Sequence, residues 1–256
     1  MFLKSVLTIA INTFKETIRN NVLYLILFFV IGLIIFSVFV ADWSVFARIQ
    51  VMQDFGLAAM SIAGLLISVF IGVGMLGKEI SQKTIYHVIT KPISRSQFVC
   101  GKFVGLVLTL LINYSAMSFI FIITLFYMGC QINTGLIFAI FLIWAEMLVM
   151  ISAAIFFSTL TTPMLAAIFS LAFYIGGHLN DLLSIKFVEV KESFYPLLLK
   201  IIYFILPNLE HFNVRENIIY GIKLPLSYYY FSIIYGLLYT TLFLIFSCMI
   251  FSKKDL

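Results

Sequence analysis

The stretch GVGMLGKE, residues 72–79, comes within one residue of the phosphate-binding loop GxxxxGK[ST]. In that loop the final hydroxyl holds magnesium while backbone amides cradle the phosphates. Here Glu79 takes the hydroxyl's place, and its carboxylate would repel phosphate instead of helping to bind it. The glycines also close an apolar run and follow no strand, which suits small residues that let helices approach closely. The chain is therefore expected to bind no ATP by itself, and no other cofactor.

The three histidines, His87, His178 and His211, stand in different regions and make no HExxH pattern. Cys100, Cys130 and Cys248 are equally scattered, with no CxxC spacing. Neither set has metal-ligand spacing, and serine–lysine or paired-aspartate intramembrane chemistry would lack buried ionisable partners, so the sequence points away from an enzyme. Glu146, in WAEMLVM, is the one acid within a long apolar run. An intramembrane charge costs about 3 kcal/mol on insertion scales, so this carboxyl should face the bundle or a wet cavity. Two readings stand side by side. Glu146 and Asn113 line a translocation pathway, or Glu146 makes a structural hydrogen bond to a group such as Asn113 or Ser115.

The elements that must position these residues follow from composition. Hydrophobic residues make up 63% of the chain and mean hydropathy is +1.14, more than any soluble core of 256 residues needs. Six runs approach the roughly 20 residues that cross a bilayer: 22–41, 55–77, 103–128, 135–158, 163–179 and 226–251. Ten-residue alternating strands are absent, so the expected fold is all-α, a polytopic membrane protein with six transmembrane helices. No internal repeat or low-complexity linker divides it, and residues 1–256 read as a single transmembrane domain.

Charge sets the sidedness. With the N-terminus in the cytoplasm, residues 1–21, 78–102 and 252–256 carry ten Lys or Arg against Glu16, Glu79 and Asp255. The opposite side carries six cations and seven acids. Positive charge marks the cytoplasmic side, so both termini are expected inside, in the inner membrane. The basic balance thus reflects topology and gives no sign of nucleic-acid binding.

Two segments need separate treatment. Over residues 3–19, Leu3, Val6, Leu7, Ala10, Phe14 and Ile18 share one helical face. Lys4, Thr8, Asn12, Lys15 and Arg19 share the other, which predicts an amphipathic elbow helix on the inner leaflet. In the outer loop, 180–225, the run FYPLLLKIIYFIL (194–206) is too short to span and is broken by Pro196 and Lys200. It predicts a re-entrant or interfacial helical element before the last span.

The segment KEISQKTIYHVITKPISRSQFVCGK, residues 78–102, holds five cations in a chain only 11% charged. Ile85, Val88 and Ile89 give a short helix over 81–90 one apolar face. Pro92 stops that helix, and Ser94 with Gln97 makes an S-x-x-Q capping box that opens the next one. A loop anchored on lipid would explain the charges but not an ordered crosswise helix.

This arrangement resembles the first cytoplasmic loop of ABC-2 type transporter permeases. The matching positions are Glu79 after the second span, the short helix, Lys91–Arg95 as the Lys-Pro-Ile-Ser-Arg turn, and Gly101–Lys102 entering the third span. The elbow, the spans and the outer re-entrant element extend the likeness along nearly the whole chain. The resemblance implies the permease subunit of an ATP-driven exporter, pairing with a second permease (an identical copy or a paralogue). It implies two separate P-loop ATPase subunits, which carry ATP and magnesium. The short helix would be the coupling helix, with Glu79, Thr84, His87, Lys91, Pro92 and Arg95 at the ATPase contact. Two rival readings are a non-transporting membrane scaffold and an ion-coupled secondary carrier, which would need more buried ionisable groups.

Overall fold

The structure, a computed structural model, describes residues 2–43, 47–81, 94–180 and 206–253. Among these every regular element is helical. They are α1 (Phe2–Ile18), α2 (Asn21–Asp42), α3 (Arg48–Ser81), α4 (Arg95–Tyr127), α5 (Thr134–Leu160), α6 (Pro163–His178), a 3₁₀ turn (Leu209–Phe212), α7 (Arg215–Ile219) and α8 (Leu226–Lys253). The expected short helix over 81–90 and most of the 194–206 element lie outside the described residues.

Five helices, α2, α3, α4, α5 and α8, are long and apolar enough to cross a bilayer. The expected span at 163–179 falls short of that. It is the 16-residue α6, about 24 Å long against a hydrocarbon thickness of about 30 Å. Thr161 and Thr162 turn the chain tightly, and Pro163 opens α6, where its missing N–H costs nothing. α6 then runs back along α5 and stops beside that helix's middle. The returning chain packs Leu206 against Gly176 of α6.

α3 forms the axis of the bundle, packing on α2, α4, α5 and α6, while α8 closes the far side against α5 and α4. Close approach to α3 is set by small residues. A side chain at Gly72 would begin 2.7 Å from the Ala154 Cβ, and one at Gly64 would begin 2.7 Å from Met147 Cγ. The false phosphate loop is thus partly a helix-packing surface: Gly72 meets α5.

The S-x-x-Q box forms as the sequence predicts. The Gln97 amide donates to Ser94 Oγ at 3.3 Å, and the Ser94 amide donates to Gln97 Oε1 at 3.0 Å. The elbow helix also forms, but it seats differently from a helix resting its apolar face on lipid. Its stripe Ala10, Thr13 and Thr17 is buried against α4, whereas Leu3, Leu7 and Ile11 are exposed. Gly101 and Gly105 of α4 make this seat. Added side chains there would begin 3.1 Å from the Val6 carbonyl and 2.6 Å from the Ala10 carbonyl. Two faces of α1 therefore have different partners: Ile9, Ala10, Thr13 and Thr17 meet protein, and Leu3, Leu7 and Ile11 face outward.

Candidate functional site

Two places in the fold gather groups able to do more than pack. The first is the end of the bundle that holds both termini. Here α3 ends at Ser81, α4 begins at Arg95, α1 lies across the start of α4, and α8 finishes. Arg95 Nη1 donates to the carbonyls of Phe251 and Ser252, each at 3.1 Å, so a cation caps the C-terminal end of α8. Phe98 stacks on Phe251 with ring centroids 5.8 Å apart. Lys102 is buried under α1, with Nζ 3.7 Å from Glu16 Oε2 and 5.6 Å from the Phe98 ring centre. α1, α4 and α8 are thereby tied at one level, where α4 begins.

Of the residues assigned to the ATPase contact, Thr84, His87, Lys91 and Pro92 lie outside the described residues. Glu79 lies in the last turns of α3, and Arg95 is the first residue of α4. Arg95 thus has a role within the chain that the sequence did not announce, since nothing near residue 95 signals a partner 156 residues away.

The second place is a polar core about midway along α5. Glu146 lies twelve residues from the start of that helix, about 18 Å along its axis, and is 2% exposed. Its Oε1 is 3.5 Å from His178 Nε2, at the end of α6. His178 Nδ1 faces the Tyr174 carbonyl at 3.2 Å. A carbonyl can only accept, so Nδ1 carries a proton there. Nε2 then faces Glu146 Oε1 across a gap longer than a good hydrogen bond, either as an imidazolium beside a carboxylate or as a neutral ring beside a neutral carboxyl. Either way the pair is neutral overall, which lowers the cost of burying Glu146.

Around this pair the Tyr174 hydroxyl lies 3.1 Å from Ser61 Oγ on α3, and its ring lies 4.4 Å from the imidazole. Asn180 Nδ2 donates to the Leu206 carbonyl at 3.0 Å. Leu209 fills the space above Gly177, where a side chain would begin 2.6 Å from it. The returning chain is held by α8 as well. Ser232 Oγ donates to the His211 carbonyl at 3.2 Å, and the Asn208 amide donates to the Tyr235 hydroxyl at 2.8 Å. Towards the distal surface, Glu210 accepts from Asn213 at 2.7 Å, and Arg215 lies 3.7 Å from Asp54.

The partners foreseen for Glu146 are occupied elsewhere. Asn113 donates to the Thr109 carbonyl at 2.8 Å, and Ser115 to the Leu111 carbonyl at 2.7 Å. The pairing with His178, across 32 positions of sequence, was missed. The available signal was a second ionisable side chain within the apolar run 163–179.

A family model described as "ABC-2 family transporter protein" matches residues 7–256, from the first turns of α1 through the last residue. The chain belongs to the ABC-2 transporter family. A search of curated proteins finds no match. As an ABC-2 family protein the chain is a transport membrane component of several apolar helices, and is not itself a catalyst. The match runs across both the terminal end and the polar core, so it treats α1, the bundle and the distal segment as one unit.

Proposed function

We propose that this chain is the permease subunit of an ATP-driven exporter, working as a dimer and powered by separate P-loop ATPases seated on the 78–102 loop. The observation that carries this reading is the family match over residues 7–256 together with the sequence of that loop. The clamp of α1, α4 and α8 supports it physically. A push on the loop would reach α4 at its capped first turn and pass to α1 through the glycine seat and to α8 through Arg95. Such a lever shifts the bundle only if the ATPase binds the loop differently in two states. Both termini and the loop would face the cytoplasm, and Glu79, Thr84, His87, Lys91, Pro92 and Arg95 would frame the contact.

Purification from detergent, with identification of any P-loop ATPase that comes with this chain, tests the proposal. The expected result is a complex that hydrolyses ATP and loses the ATPase on charge reversal at Lys91. A chain that binds no ATPase, or one whose binding ignores Lys91→Glu, would contradict it. Lys91 is a better probe than Arg95, because Arg95→Glu would also uncap α8.

For Glu146 and Asn113 the pathway reading remains a proposal, with the His178 pair as the feature an ion-coupled carrier would share. Such a carrier must expose its ionisable groups to water on each side in turn, and here Glu146 is enclosed by α3, α5 and α6. ATP-independent uptake into vesicles holding this chain alone would favour the carrier.

A further inference from the structure

A cavity of about 560 Å³ opens where the α1–α2 turn meets the terminal end of α3. Its lining divides by chemistry. Glu16, Arg19, Asn20 and Asn21 form one end, and Ile26, Phe70 and Ile71 continue it along α2 and α3. Gly74 forms part of the wall, and a side chain added there would meet nothing within 4 Å. The depth of this change can be read from α1, whose Lys4 and Lys15 are exposed beside the exposed Leu3 and Leu7. A helix with that pattern lies at the boundary of headgroups and acyl chains, so the boundary crosses this cavity. Glu16 lies 3.7 Å from Lys102, and among the described residues no ion pair involves Arg19. The polar end therefore presents a cation and the Asn21 carboxamide at phosphate depth, above an apolar groove.

We infer that this cavity is a binding site for one glycerophospholipid of the leaflet on the terminal side. Its phosphate would sit at Arg19 and Asn21, and one acyl chain would run down Ile26, Phe70 and Ile71. Arg19 supplies charge-assisted hydrogen bonds to phosphate oxygens. Glu16, already beside Lys102, adds a carboxylate at the rim that opposes headgroups with additional negative charge. The site does not depend on the transport reading, since it uses no residue of the 82–93 loop.

The test is native mass spectrometry of the full-length chain in detergent, titrated with phosphatidylethanolamine and, separately, with diacylglycerol of the same chains. One phosphatidylethanolamine per chain should survive activation that strips the remaining lipid, and diacylglycerol should not. Arg19→Gln should weaken retention about fivefold, the effect of one basic residue at a lipid surface. Gly74→Leu fills the apolar groove without touching the polar end, and should remove the retained lipid while leaving the melting temperature unchanged or higher. Lys15→Gln, on the exposed face of α1, should change nothing. Equal retention by the parent chain and Gly74→Leu would overturn the site. So would diacylglycerol held as firmly as phosphatidylethanolamine.

Discussion

Two glycine seats, at different levels of this bundle, hold very different things. At the terminal end Gly101 and Gly105 of α4 receive the backbone of α1, with added side chains beginning 2.6–3.1 Å from its carbonyls. Midway along α5, Gly176 and Gly177 of α6 receive leucine side chains from the returning chain, Leu206 and, at the start of the 3₁₀ turn, Leu209. The first seat joins two rigid helices at backbone distance. The second lets α6 stop short and seals its end with side chains and the Glu146–His178 pair. A lever needs the first kind of joint; a closed, neutral polar core needs the second.

The contrast can be broken most forcefully at the pair. Replacing His178 by Leu strands a buried carboxyl, so a loss of about 3 kcal/mol is expected in detergent unfolding, whereas Glu146→Gln should cost under about 1 kcal/mol because an amide of the same shape leaves no acid to strand. Equal losses would show that the two side chains are not partners. Next in size is Gly105→Val, where the obstacle is backbone that cannot swing aside, with about 2–3 kcal/mol expected. Gly177→Val should cost less, about 1–2 kcal/mol, because the Leu209 side chain can move, although the Pro207 carbonyl limits it. If thermal melts reverse that order, the rigid-seat description of α1 fails. Smallest is Ser94→Ala, about 1 kcal/mol, the worth of an N-cap at the start of α4.

Much of the architecture was legible because a bilayer imposes simple rules. Long apolar runs gave the five described helices that are long and apolar enough to cross, and Ser94 with Gln97 marked the start of α4 because capping is a local interaction. The amphipathic pattern found α1, but it sorted residues only into apolar and polar. Ala10, Thr13 and Thr17 form a third class, small buried residues of which Ala10 and Thr13 face Gly105, and hydropathy alone does not distinguish them from lipid-facing ones. The sixth run shows the same limit. Residues 163–179 are apolar enough to span, yet α6 ends at His178, whose imidazole has a partner 32 positions earlier. The candidate site was legible as a motif at 78–102 and opaque as geometry. Arg95 reads as a surface cation in sequence, and only the packing of α8 onto α4 reveals the carbonyls it caps.

The central claim is that a motor outside this chain drives it through the 78–102 loop. The most direct measurement is ATP hydrolysis by the reconstituted complex of this chain with its ATPase, comparing the parent chain with Pro92→Ala and His87→Ala. Hydrolysis that this permease modulates in the parent, and that loses this modulation in either variant at an unchanged melting temperature, is the predicted result. Hydrolysis indifferent to the permease and to both substitutions would contradict it.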